Sequence, residues 1–173
     1  MSQESPVADA AVRQVPAPPA GRGLLTLSRV DYEDAFLART DPAQDRTAEQ
    51  WARAMLEDAS PDMRRRLKWA WFALGLKHRC TRSDGFVLGW EVRRSTPDFA
   101  LLGAGSRVGM PAELLFERRG DTLLVATFVQ QQNVLARAMW AAIAARHRRV
   151  VPYLLRQAVS SDRAGRDAAV KRG

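Results

Sequence analysis

Arg146 stands inside an apolar helical stripe, an arrangement suited to recognising an acidic ligand. At about 100° per residue, Leu135, Met139, Ala142, Ile143, Val150 and Leu154 fall on one side of the segment Asn133–Gln157, with Arg146 in their midst. A guanidinium there can take a ligand carboxylate bidentately at one end of an apolar pocket. It can equally pair with a carboxylate from a neighbouring strand, or reach water where the helix leaves the sheet. His147 lies beside the stripe and reads as a half-exposed residue with its ring against the sheet.

Carboxylates are the other candidates, because burial in an apolar cavity raises a carboxyl pKa and suits it to general acid or base work. Glu113 interrupts an apolar run, and Glu91 follows Trp90. Strand periodicity opposes that use. Val108, Met110, Ala112, Leu114 and Phe116 share one face, as do Phe86, Leu88, Trp90 and Val92, and each glutamate falls on the opposite side. Both are expected to face solvent. In Gln130-Gln131-Gln132-Asn133, Asn133 suits the cap of the following helix, and an inward glutamine could hydrogen-bond a ligand. The run RRRLKWAWFALGLKHR, Arg64–Arg79, flanks Trp69, Trp71 and Phe72 with cations, as helices lying in a membrane interface do. The alternative is a helix packed at a cavity mouth with Arg64, Arg65 and Arg66 in water. The packed helix is the favoured expectation, with weak contact to anionic membrane through Arg64, Arg65, Arg66 and Trp69 as the other. Cys80 is the only cysteine, which excludes an internal disulfide, and with His78 and His147 it makes no zinc-type ligand set. There is no Gly-rich phosphate loop, no Ser-His-Asp or Cys-His arrangement and no acidic cluster, so neither a metal nor a cofactor is expected.

The elements that position these residues follow from periodicity. Alternation over Leu24–Arg39 predicts a first strand. Thr47 with Gln50 forms a capping-box pattern that opens a helix over Ala48–Asp58, and Ser60-Pro61 opens a second that runs to Gly75. From His78 the period becomes two: Phe86–Arg93, then Phe99 onward after Thr96-Pro97-Asp98, then a hairpin of Arg107–Arg118 with Thr122–Gln132. Gly103, Gly105 and Gly109 mark bulges or bends. The last helix, Asn133–Gln157, would span roughly 35 Å. Residues 1–23, rich in proline, are expected to form a disordered leader; 24–158 form a single domain, and 159–173 a flexible tail. The N-terminus lacks a basic patch followed by an apolar stretch, so a cytoplasmic location is expected. The chain carries 27 basic and 19 acidic residues, a net charge of +8. The basic residues are mostly arginines scattered along the chain. With no recognisable module, they read as a solvated surface and not as a specific nucleic-acid site.

Three stretches carry a family likeness: Asp31-Tyr32-Glu33-Asp34-Ala35-Phe36, Leu123–Asn133, and NVLARAMWAAIAARHRRVVPYLLRQA. With the order strand, two helices, meander and long helix, Leu24–Ala158 resembles the START-like or SRPBCC superfamily, and within it an uncharacterised bacterial family. The resemblance implies an α+β helix-grip fold: a curved antiparallel sheet wrapped around a long C-terminal helix, with two short helices after the first strand. It further implies a pocket between sheet and helix that holds a small apolar or amphipathic molecule, or that catalyses reactions of the polyketide cyclase or dehydratase type. Under that architecture Tyr32, Trp90, Phe99, Met110, Phe128 and Gln130 line the pocket from the sheet, and Met139, Ile143 and Arg146 from the helix. Aromatic and methionine residues at strand spacing also serve as ordinary core. No catalytic motif of a characterised branch is present.

Overall fold

The structure is a computed structural model that describes residues 12–40, 45–77 and 84–170. His78, Arg79 and Cys80 lie outside the described residues. In chain order the elements are β1 (Arg13–Val15), a single turn α1 (Pro19–Arg22), β2 (Tyr32–Arg39), α2 (Ala48–Leu56), α3 (Pro61–Ala73), β3 (Leu76–Lys77), β4 (Phe86–Val87), β5 (Trp90–Ser95), β6 (Phe99–Ser106), β7 (Ala112–Arg119), β8 (Thr122–Val129) and α4 (Val134–Val170). The fold is α+β. An eight-stranded antiparallel sheet runs β1-β2-β8-β7-β6-β5-β4, with β3 joined to the end of β6. It curves without closing.

Local chemistry accounts for the helix starts. Thr47 accepts from the Gln50 N–H while the Gln50 side chain accepts from the Thr47 N–H, a complete capping box for α2. Ser60 accepts from the Met63 N–H and Pro61 occupies the first turn of α3. Asn133 Oδ1 accepts from the Ala136 N–H at 2.8 Å and caps α4, and its Nδ2 donates to the Val108 carbonyl. The expected strand Phe86–Arg93 is instead a hairpin, because Leu88 and Gly89 both take positive φ, 47° and 94°. This is the backbone of a type I′ turn. A leucine there is strained, and α2 braces it: Glu57 Oε1 accepts from the Leu88 N–H, and Arg53 donates to the carbonyls of Asp84 and Phe86.

Side-chain parity divides the sheet into two buried faces. Phe36 and Ala38 of β2, Leu114 and Phe116 of β7, and Leu123 and Val125 of β8 form the inner face. It is covered by α2, which lies over β6 and β7, and by α4, which packs against α2 and β2. The other parity, Ala35, Leu101, Leu115, Leu124, Ala126 and Phe128, meets Val15, Ala17, Leu24, Leu25, Leu27 and Val30. Residues 13–30 therefore form a strap across the outer face.

The strap corrects two expectations. Of the stretch 1–23 expected as a disordered leader, Arg13–Val15 pairs with Ala35–Leu37. Gly21 lies so near the sheet that a Cβ would come within 2.8 Å of Leu115 Cδ2. The strand expected over Leu24–Arg39 is β2 and starts only at Tyr32, since Leu24 to Val30 belong to the strap. The cause is visible in Leu114-Leu115-Phe116 and Leu123-Leu124-Val125-Ala126, which are apolar on both parities. Such strands need cover on both faces. At the other end, Ala158 and Val159 are buried and α4 continues to Val170, so the stretch 159–173 expected as a flexible tail is helical as far as that residue.

Glu113 is a further correction. It faces away from the inner core as expected, yet it is 0% exposed, because the strap closes over it. Thr26 donates to it from both N–H and Oγ1, and Arg93 makes the ion pair. Register puts Gly103 directly opposite Glu113. A Cβ at Gly103 would collide with the Arg93 guanidinium, so glycine is what lets that side chain lie across the sheet. Glu91, in contrast, stays largely in solvent.

Candidate functional site

The inner face holds a small cavity between sheet and α4. Its floor is Phe116, Val125 and Val129; α4 contributes Trp140, Ile143 and His147; and α2 and α3 close the remaining sides. Its volume is about 90 Å³, room for roughly three waters at about 30 Å³ each. Typical ligand sites occupy roughly 300–1,000 Å³. The cavity is small because α2, and not α4 alone, fills the concavity of the sheet, with Trp51, Ala52 and Met55 buried beneath it. Next to it, a groove of about 350 Å³ runs between α2 and the second half of α4. Met55 and Leu154 line both spaces, so these two side chains form the partition.

Polar chemistry at the cavity comes from one corner. Tyr32 and Asp34 project inward from β2 at strand spacing, and register places Thr127 of β8 opposite Asp34. The Tyr32 hydroxyl donates to Asp34 Oδ2 at 2.7 Å. His147 reaches down from α4, its Nε2 lying 3.4 Å from Asp34 Oδ2 and 3.2 Å from Thr127 Oγ1. Trp140 packs against both rings, with centroids 4.6 Å from Tyr32 and 5.2 Å from His147. Asp34 is 4% exposed, and its second oxygen, Oδ1, is buried without a hydrogen-bond partner. The indole N–H groups of Trp90 and Trp140, whose rings line the cavity, are likewise buried and unpartnered. Polar groups buried without a partner cost about 1–3 kcal/mol each. Burial, followed by the hydrogen bond to Asp34 and that carboxylate's charge, pushes the Tyr32 hydroxyl up to about 12; Arg148 acts in the opposite sense.

An imidazole whose Nε2 faces both a carboxylate and a hydroxyl is held in orientation by them, and imidazoles are the side chains most used to exchange protons with a bound molecule. Among the described residues, no group of three His, Cys, Asp or Glu side chains could hold a metal ion.

The expected site residues divide into separate groups. Trp90 and Ile143 line the cavity; Tyr32 does not, lying behind it against Trp140 and Asp34. Phe99 and Phe128 do not reach it: Leu102 and Thr127 set the inward parity of their strands, so both rings pack on the outer face. Gln130 has the same outward parity, and its amide donates to Ser28 Oγ in the strap at 3.0 Å. Met110 is buried in the inner core away from the cavity wall, and Met139 is half-buried outside it. Arg146 is exposed. The buried stripe of α4 is Ala136, Trp140, Val151, Leu154, Leu155 and Ala158, with Ile143 and His147 partly buried beside them. It is rotated by about one residue from the expected one. Burial of the Trp140 indole sets this phase and leaves Leu135 57% exposed. The signals that could have located the corner were the pair Tyr32-x-Asp34 and the i, i+7 pair of Trp140 and His147.

No protein-family model matches the chain, and no curated protein matches it. Among solved structures, it is similar to the crystal structure of CalU16 from Micromonospora echinospora, at 12% identity over 88% of this chain and 95% of that one, with a TM-score of 0.27. A likeness of that size supports no inference about activity.

Proposed function

We propose that this chain is a binding protein for a small, largely apolar molecule that carries one hydrogen-bonding group. The observation that supports this reading most is the cavity itself: apolar walls whose polar lining is Thr127 and His147, with Asp34 and Tyr32 hydrogen-bonded behind them. Small-molecule sites combine an apolar lining with a few placed polar groups in this way. At about 90 Å³ the cavity admits only a few heavy atoms. Rotation of Met55 and Leu154 would join it to the groove of about 350 Å³ and accommodate a longer ligand, and methionine is the side chain most suited to such movement. The START-like resemblance of the sequence points the same way.

Native mass spectrometry of the chain purified from its own source tests this reading. A retained small molecule is expected in the wild type and absent from Ala112→Leu, which puts a larger side chain into the cavity wall. A ligand retained equally by both proteins would place it elsewhere, and no retained mass, together with no chemical-shift change at His147 on adding short-chain carboxylic acids, would sink the proposal.

The Asp34–His147 pair favours a second reading. With His147 as general base and Asp34 orienting it, the same corner could draw a proton from a carbon next to a substrate carbonyl, a step shared by cyclase and dehydratase chemistry. Substrate turnover that persists in His147→Gln would exclude it.

A further inference from the structure

The outer surface of α3 carries a feature that the cavity does not use. On a wheel at about 100° per residue, Met63, Leu67, Trp71 and Leu74 fall together, and these are the α3 positions packed on the core. Arg65, Trp69 and Phe72 fall diametrically opposite, flanked by Lys68 on one side and Arg66 on the other. Trp69 is 67% exposed and Phe72 58%, and the two rings meet edge to face with centroids 6.0 Å apart. α3 thus has two apolar faces, of which the described residues cover only one. It contains four cations, Arg64, Arg65, Arg66 and Lys68, against one acid, Asp62, which pairs with Arg65 at 3.3 Å. Two more exposed apolar residues, Val134 and Leu135, open α4. The two helix ends are tied to the same connection: Arg107 N–H donates to the Gly75 carbonyl after α3, and Asn133 before α4 donates to the Val108 carbonyl.

We infer that this face of α3 docks on the surface of an anionic lipid bilayer. The helix lies parallel to the membrane plane, Trp69 and Phe72 enter the headgroup region, and Arg65, Arg66 and Lys68 meet the phosphates. The charge is complementary to such a surface and the aromatic pair has the amphipathic reach of an interfacial anchor. A protein partner would have to present an acidic rim around an apolar socket. A bilayer presents both everywhere. No helix of the described residues is long and apolar enough to cross a membrane, so docking is peripheral. This inference stands independently of whether the cavity binds a ligand.

Sedimentation of the full chain with vesicles of phosphatidylcholine alone, or mixed with phosphatidylglycerol, tests it. Binding is expected only to the mixed vesicles and should fall as salt rises. The triple variant Arg65→Gln, Arg66→Gln, Lys68→Gln should bind roughly 100-fold more weakly, near fivefold per cation. Trp69→Ser with Phe72→Ser should also release the protein. Both variants alter positions outside the core, all exposed except the half-buried Lys68, and should keep a urea midpoint close to the wild-type one. Quenching of tryptophan fluorescence by bromine-labelled acyl chains should largely vanish in Trp69→Phe. Equal binding to both vesicle types, no binding to either, or undiminished binding by the variants would overturn the inference. So would a lipid-free dimer that Trp69→Ser with Phe72→Ser dissociates, because the face would then belong to a second copy.

Discussion

Two buried carboxylates on opposite faces of one sheet have opposite surroundings. On the outer face Glu113 is 0% exposed and receives the Thr26 N–H, the Thr26 hydroxyl and the Arg93 guanidinium, under a strap that leaves little space around it. On the inner face Asp34 is 4% exposed, takes the Tyr32 hydroxyl and the neighbouring His147 on Oδ2, and has no partner on Oδ1. A low dielectric makes a satisfied buried network rigid and an incomplete one costly. The first arrangement serves to close the outer layer. The second leaves one carboxylate oxygen unmatched behind a small cavity, and this asymmetry distinguishes the two carboxylates where burial and residue type do not.

The sharpest way to break the comparison is Glu113→Ala. It leaves the Arg93 guanidinium with Glu91, 3.9 Å away, as its remaining carboxylate, and removal of one member of a buried pair costs up to about 3–5 kcal/mol. The urea midpoint should fall accordingly, while Arg93→Met with Glu113→Leu should recover most of the loss. A single-variant loss below about 1 kcal/mol would mean that the strap opens easily and that the pair is not sealed. Asp34→Asn is the counterpart on the inner face. It exchanges one well-used oxygen and one idle oxygen for an amide, and should cost about 1–2 kcal/mol, less than the outer-face lesion. Retention of the ligand by that variant would show that the unmatched oxygen plays no part in binding.

Tyr32 sharpens the contrast through pH. Its hydroxyl is pushed up to about 12 from the ordinary 10 by burial and by the bond to Asp34, so the fold favours the protonated phenol. The resulting stability is complete below pH 10 and is lost as pH rises through 12. Tyr32→Phe lacks this contribution at every pH. The wild-type advantage in urea unfolding should be about 1 kcal/mol near neutrality, given partial solvent screening, and should shrink from pH 10 to 12. An advantage that is constant over that window would detach Tyr32 from Asp34.

The sequence was readable where one local rule decides the outcome. Thr47 with Gln50, Ser60-Pro61 and Asn133 announce three helix starts, and Gly120-Asp121 marks the β7–β8 turn. It was misleading where an outcome depends on what lies across the sheet. Alternation gave the correct face for Glu113 but could not show that residues 24–27 return to cover it. The proline-rich start reads as incapable of forming a core by itself. It needs none, because the apolar outer face of β7 and β8 supplies the partner. Asp34 and His147 are far apart in sequence, and only the packing of α4 on β2, in its observed rotation, brings them within 3.4 Å.

That rotation makes Arg146 the smallest of the predicted effects. Counting aliphatic residues alone centres the apolar stripe on Arg146; including the rings of Trp140 and His147 moves it by one position, and a shift of about 100° takes an inward side chain to the flank or the surface. Arg146 is accordingly exposed, whereas His147 lines the cavity. Arg146→Met should change stability by no more than about 0.5 kcal/mol, as exposed substitutions do, and should leave ligand retention at the wild-type level. His147→Gln, one residue on, should weaken retention. Loss of ligand from the arginine variant alone would mean that α4 turns when the cavity fills, and would transfer the polar anchor from the β2 corner to the helix.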